Sequence, residues 1–289
     1  MKMTWLVTRS AAAGLAALVC VCAPAQAQYG ALNGEWRSYG GDVGGTKYSP
    51  LDQIDATNFS SLVQAWNWTT VDAMLSTELA GGEWTSSSAN IFEALQEQTP
   101  ELWRSDQHPL IENLKATPLM AGGRLFLVTP LSVGVSVDAK TGEVLWIYNP
   151  KSYEDGTTSM TVIYNQRGVS YWSDGADDER VFWGTGNGYL ICVDAKTGRP
   201  CAGFGVDGRV DLTTTLPRSD RGERDYLNAL LYSVQSAPIV IRNVVVTPVS
   251  IADRRITMEA VPGWIRGWNV RTGEERWSFH TIPQAGELG

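Results

Sequence analysis

Cys192 and Cys201 bracket the segment VDAKTGRP, and their spacing is the first sign of covalent chemistry in the chain. If that segment is a strand end followed by a tight turn, the residues on either side run antiparallel and face each other, which suits a cross-strand disulfide. Two free, buried thiols are the alternative. A thiolate and imidazole metal site is disfavoured, because the two histidines, His108 and His280, lie far from the cysteines and from each other. Among the carboxylates, Asp253 ends the apolar stretch SAPIVIRNVVVTPVSIAD and is followed by Arg254 and Arg255, with Glu259 shortly after. A carboxylate placed there either caps a turn, pairs with its arginines, or offers oxygen to a hard cation such as Ca²⁺.

What elements would hold such groups? The core of that cysteine-flanked segment is written three times, as VDAKTGEVLW from Val137, VDAKTGRPCA from Val193 and WNVRTGEERW from Trp268. Asp138, Asp194 and Asn269 follow apolar, strand-like runs, and a short polar side chain there can bond the backbone two residues on. Gly142, Gly198 and Gly273 then supply the positive φ that closes the turn. Each copy therefore reads as a hairpin. Before the first and third copies come TPLMAGGRLFLVTP and SAPIVIRNVVVTPV, each a strand, a turn and a strand, so the unit is a pair of hairpins making four strands. The copies lie farther apart than the tightest repeats of about 20 to 50 residues, which fits four-stranded blades carrying insertions. Trp146 and Trp277 begin the return strands of the outer copies, while Ala202 takes that place in the middle one. The repeat thus predicts an all-β chain built as a β-propeller, with one docking turn per blade and a tryptophan packed flat between neighbouring sheets.

Composition agrees with that class. Hydrophobic residues make up 43% and charged residues 19% of 289, enough to bury a large core. The 29 glycines and 12 tryptophans suit many tight turns and flat packing groups better than a helical bundle. With 23 basic against 31 acidic residues, a net charge of -8 and no basic cluster, nucleic acid is excluded as a partner.

The first residues have a different character. Lys2 and Arg9 precede an apolar run from Ala11 to Val21 and the small-residue site Ala25-Gln26-Ala27, a pattern that predicts a secretory signal over residues 1–27 cut after Ala27. The run is short of the roughly 20 residues that span a bilayer. Cys20 and Cys22 would leave with the signal, and the mature protein would be periplasmic, free or peripheral to the membrane.

The docking-turn repeat, together with GEWRSYGGDVGGTKYSPLDQIDATN (Gly34 to Asn58), RGVSYW (Arg167 to Trp172) and FHTIPQAGELG (Phe279 to Gly289), resembles the pyrroloquinoline quinone (PQQ) dependent dehydrogenases, the eight-bladed quinoproteins. The likeness runs over nearly all of residues 28–289 and is poorest over 71–109, which reads as a surface insertion with a short helix around Ile91 to Gln98. The resemblance implies a PQQ cofactor and a Ca²⁺ ion. It implies that Arg167 binds a carboxylate and carbonyl edge of PQQ, as a planar, bidentate, permanently charged guanidinium can. Lys115 stands where the family places Gln or Glu against the cofactor. Gln235 and Ser250 fall on cofactor-contacting positions, Asp253 on the acidic metal ligand, and Glu259 is the second choice for that ligand.

By the same likeness the expected reaction is oxidation of an alcohol, polyol or aldose such as glucose, with electrons passed to a quinone or a cytochrome c. The family's general base sits in a segment of a later blade that has no counterpart here. The chain is therefore expected to be the N-terminal part of the propeller, inactive without C-terminal blades, and no catalytic residue is assigned. A non-catalytic propeller scaffold of envelope protein assembly, which uses the same docking turns without a cofactor, is the competing expectation.

Overall fold

The computed structural model describes residues 31, 34–42, 44–72, 97, 114–154, 164–217, 223–224, 231–251 and 261–287. The predicted signal segment, most of 71–109, and the two carboxylates Asp253 and Glu259 lie outside them. The regular structure of the described residues is almost entirely β-strand, with one short 3-10 helix at Phe59–Ser61. Blade one is β1 (Leu119–Ala121), β2 (Arg124–Val128), β3 (Gly134–Asp138) and β4 (Val144–Tyr148), each antiparallel to the next. Blade two is β5 (Ser170–Ser173), β6 (Glu179–Gly184), β7 (Tyr189–Asp194) and β8 (Arg209–Asp211). A short strand β9 (Tyr232–Ser233) precedes blade three, which is β10 (Ile239–Ile241), β11 (Val244–Thr247), β13 (Ile265–Asn269) and β14 (Glu275–Phe279). The intervening β12 (Ser250–Ile251) leaves that sheet to pair with β9.

The three turns form as their sequences require. In the first, Asp138 Oδ1 accepts from the N–H groups of Lys140 and Thr141 at 2.9 and 2.8 Å, and Asp194 and Asn269 do the same in theirs. Gly142 and Gly198 have φ of 76° and 70°, and both also lack a side chain because an indole lies on them. Trp146 of blade one donates from Nε1 to the Ala195 carbonyl at 2.9 Å, and its ring lies 2.6 Å from where a Cβ of Gly198 would sit. Trp66 repeats the contact one step earlier, bonding the Ala139 carbonyl at 3.2 Å and covering Gly142. The sequence repeat does not reveal Trp66, because the turn that would precede it is not part of the chain's pattern.

The middle copy departs from a simple hairpin. After the turn, only a bridge between Val193 and Pro200 forms, and the fourth strand waits until Arg209. Cys192 and Cys201 are joined in a disulfide, Cα to Cα 5.5 Å, which closes the excursion where Ala202 offers no indole. Phe204, Gly205 and Val210 then cover the third turn: Gly205 N–H donates to the Thr272 carbonyl at 2.9 Å, and Val210 lies over Gly273. Replacing both cysteines by alanine is expected to cost about 2–3 kcal/mol of stability, the scale for closing a loop of this length. Urea denaturation of the two forms measures it, and an unchanged midpoint would show that Phe204 and Val210 hold the second interface unaided.

Candidate functional site

Each blade's first strand is entered from a short extended segment, and the three segments meet. Thr117 N–H donates to the Arg167 carbonyl and Arg167 N–H donates to the Gln235 carbonyl, both at 2.9 Å, while Thr117 and Gly168 form a parallel bridge. Backbone bonding of this kind fixes three strand entries far apart in sequence to one junction. Lys115, two residues before Thr117, and Arg167 are exposed there, and Gln235 is half-buried. Ser250 pairs with Ser233 across β12 and β9, two residues before Gln235, and Ser233 Oγ donates to the Ser250 carbonyl at 3.1 Å. The four residues assigned to the cofactor thus belong to the junction or to the strand pair that feeds it. They bring two basic side chains, an amide and a hydroxyl to this part of the backbone framework.

Residues that sequence reasoning missed hold this junction in place. Gln166, almost fully buried beside Arg167, links all three blades. With its carboxamide turned to satisfy both ends, it donates to the carbonyls of Gly184 and Val234 at 3.2 and 3.3 Å and accepts from Ser132 at 3.2 Å. Ser132 has a φ of 68°, costly for a residue with a side chain, and its carbonyl accepts from Trp183 Nε1 at 2.9 Å. Beneath β9, Arg266 is wholly buried. It donates to Tyr232 Oη and Thr215 Oγ1, each at 2.8 Å, and its guanidinium lies 5.4 and 4.8 Å from the ring centres of Tyr232 and Trp268. The sequence held one signal for it, an arginine inside the apolar strand WIRGWN, at the alternation that faces the core.

Asp72 clamps the other side of the loop that carries Ser132. It is 1% exposed, and Oδ2 accepts from Leu131 N–H at 3.2 Å, while Oδ1 has no partner among the described residues. Burial pushes its carboxyl up to about 6, against the lowering effect of the Thr129 and Leu131 hydrogen bonds.

Asp253 lies two residues beyond β12 and Glu259 farther on, both outside the described residues. Within the described residues no group of three or more His, Cys, Asp or Glu side chains is gathered to hold a metal. No helix among them is long and apolar enough to cross a membrane.

Residues 36–288 match the PQQ family described as "Glucose/ethanol/alcohol dehydrogenase, beta-propeller domain". The chain belongs to that family. Among curated relatives of this quinoprotein, the quinate/shikimate dehydrogenase (quinone) of Acinetobacter baylyi is 30% identical, over 84% of this chain and 27% of its own length. Quinoprotein glucose dehydrogenase A of Acinetobacter calcoaceticus is 27% identical, over 89% of the chain and 29% of its own length. The quinoprotein chain thus spans little more than a quarter of the relatives it matches. Among solved structures, a quinohemoprotein alcohol dehydrogenase of Pseudomonas putida superposes with a TM-score of 0.55 at 24% identity, covering 86% of this chain and 27% of that one. It shares the fold, and the three four-stranded sheets of the described residues correspond to part of a β-propeller.

Proposed function

We propose that this chain supplies the N-terminal blades of a PQQ-dependent dehydrogenase that oxidises an alcohol, polyol or aldose such as glucose and passes the electrons to a quinone or a cytochrome c. The observation that carries the reading is the junction of three strand entries through Thr117, Arg167 and Gln235, which gathers Lys115, Arg167 and Gln235 next to the strand pair bearing Ser250. A scaffold has no use for that set of donors, and family membership does not favour it. In this reading Arg167 and Lys115 bind the acidic edge of the cofactor, with Gln235 and Ser250 orienting it. When bound, PQQ is the electron acceptor of the reaction. Asp253 and Glu259 are the carboxylates we assign to Ca²⁺, and residues 1–27 to a cleaved signal that delivers the protein to the periplasm.

The test joins residues 28–289 in one polypeptide to the remaining blades of a quinoprotein relative. PQQ- and Ca²⁺-dependent dye-linked oxidation is expected from the joined protein and not from residues 28–289 alone. Arg167→Ala in the joined protein should weaken PQQ binding by about 10- to 100-fold, the scale for losing a charged hydrogen bond. Unchanged PQQ affinity in a folded Arg167→Ala protein would remove the cofactor assignment. Robust turnover by residues 28–289 alone would place a sufficient base within them.

A further inference from the structure

We infer that Arg180 is the docking group of the third turn, a guanidinium in place of an indole, and that it makes the joint between blades two and three a latch that salt loosens. At the first two turns one indole does two things. Its N–H donates to the carbonyl of the residue after the Asx, Ala139 for Trp66 and Ala195 for Trp146, and its ring covers the turn glycine. At the third turn, around Asn269, those two tasks are divided. Val210 and Phe204 lie over Gly273, but their side chains have no donor to offer. The carbonyl after the Asx is there that of Val270, and Arg180 Nη1 donates to it at 3.1 Å and to the Arg271 carbonyl at 3.1 Å. The same carbonyl of the repeat thus accepts a hydrogen bond at all three turns, and at the third the donor is a charged side chain of β6.

The arginine is built into its place. It lies at the start of β6 opposite Asp194 of the second turn, and the carbonyl of its neighbour Glu179 accepts from Ala195 N–H at 2.8 Å. Its partner across β5 is Trp172, and the guanidinium lies 6.0 Å from that ring's centre while the Arg271 guanidinium lies 4.7 Å from it. Nε and Nη2 donate to the two oxygens of Asp178 at 2.7 and 3.0 Å, which leaves Nη1 for the two carbonyls. Every nitrogen of the fork is thereby used. Asp178 also faces Arg271 at 3.6 Å, and Asp174 faces it at 3.7 Å. Two aspartates of the β5–β6 turn and two arginines, one from each blade, thus form a charge-balanced group across the joint. Arg180 is largely buried, whereas Arg271 is 46% exposed and both aspartates are partly so. Ion pairs of that exposure are screened by salt, and the neutral bond from an indole to a carbonyl is not. The matching position of blade one is Arg124, but there Trp146 holds the Ala195 carbonyl.

The inference rests on the fold and not on the catalytic reading, and its test needs no cofactor. Hydrogen exchange of the full chain, resolved by NMR, has a reporter at each joint. One is the Gly205 N–H, which donates to the Thr272 carbonyl at the third turn; the other is the Trp146 indole N–H, which donates to the Ala195 carbonyl at the second. Arg180→Met keeps a long stem against Trp172 and removes the donors. It should speed exchange at Gly205 by about 10- to 100-fold, the scale for losing charge-assisted hydrogen bonds, and leave Trp146 unchanged. Raising salt from about 0.01 to about 1 M shortens the screening length roughly tenfold. In the unaltered protein that should speed Gly205 relative to Trp146, and in Arg180→Met it should not. Equal acceleration at both reporters would mean that the arginine supports the fold at large, and would overturn the inference, as would a Gly205 rate indifferent to Arg180→Met or to salt. The salt series needs no variant, so it decides the matter by itself should Arg180→Met fail to fold.

Discussion

Trp146→Ala is expected to lower the free energy of unfolding by about 3–5 kcal/mol, the range for removing a large buried aromatic side chain. The cost has two parts. The indole is buried between blades one and two beside Phe126, and its removal opens a cavity that strands on both sides cannot close without breaking register. It also leaves the Ala195 carbonyl, now bonded by Nε1 at 2.9 Å, without its donor. Trp277→Ala is the internal control: with the ring partly in solvent, the same substitution should cost about 1 kcal/mol or less. Urea denaturation of both variants decides the matter. Equal losses would mean that the indoles act as local packing groups of their own sheets and not as links between blades.

Asp72→Asn is expected to stabilise the protein at pH 7, against the general trend that substitutions at buried sites destabilise. Burial raises the carboxyl from its ordinary 3.8 to about 6 in the folded state. The sign follows from linkage: a carboxyl whose folded value is raised favours folding while both states are protonated, below about 4, and loses that contribution as pH rises through about 6. At neutral pH the buried carboxylate then costs on the order of 3 kcal/mol relative to a neutral group. An asparagine accepts from Leu131 N–H without the charge, although its amide N–H needs an acceptor, so the gain at pH 7 is up to that amount. The difference between the two proteins should shrink as pH falls from 6 to 4. Thermal melts across that range would show a constant offset if the carboxylate is instead neutralised by an ion pair.

How much of this was legible in the sequence can be argued residue by residue. The three turns were, because the Asx side chain, the threonine and the positive-φ glycine act within five residues, and local chemistry settles their shape wherever they occur. Cys192 and Cys201 left two readings open, since pairing depends on the strand beyond the turn coming back. Arg167, Lys115, Gln235 and Ser250 were named by likeness to a family. That the segments carrying Lys115, Arg167 and Gln235 join, with Ser250 on the strand pair beside them, was decided by backbone hydrogen bonds between segments far apart in sequence.

Other features carried no local signature. Trp66 resembles any tryptophan in an extended stretch until blade one's turn is packed beneath it. Phe204, Gly205 and Val210 stand at the third turn in place of an indole, on the loop that follows the disulfide. Asp72 and Arg266 are ordinary surface residue types whose burial follows from what the sheets enclose. The sequence by itself determined where the chain turns and which face of each strand is apolar, because those depend on neighbours along the chain. The tertiary structure alone decided which turn each tryptophan covers, which polar groups are buried and which strand entries join, because blades pack face to face and their contacts join residues that no periodicity relates.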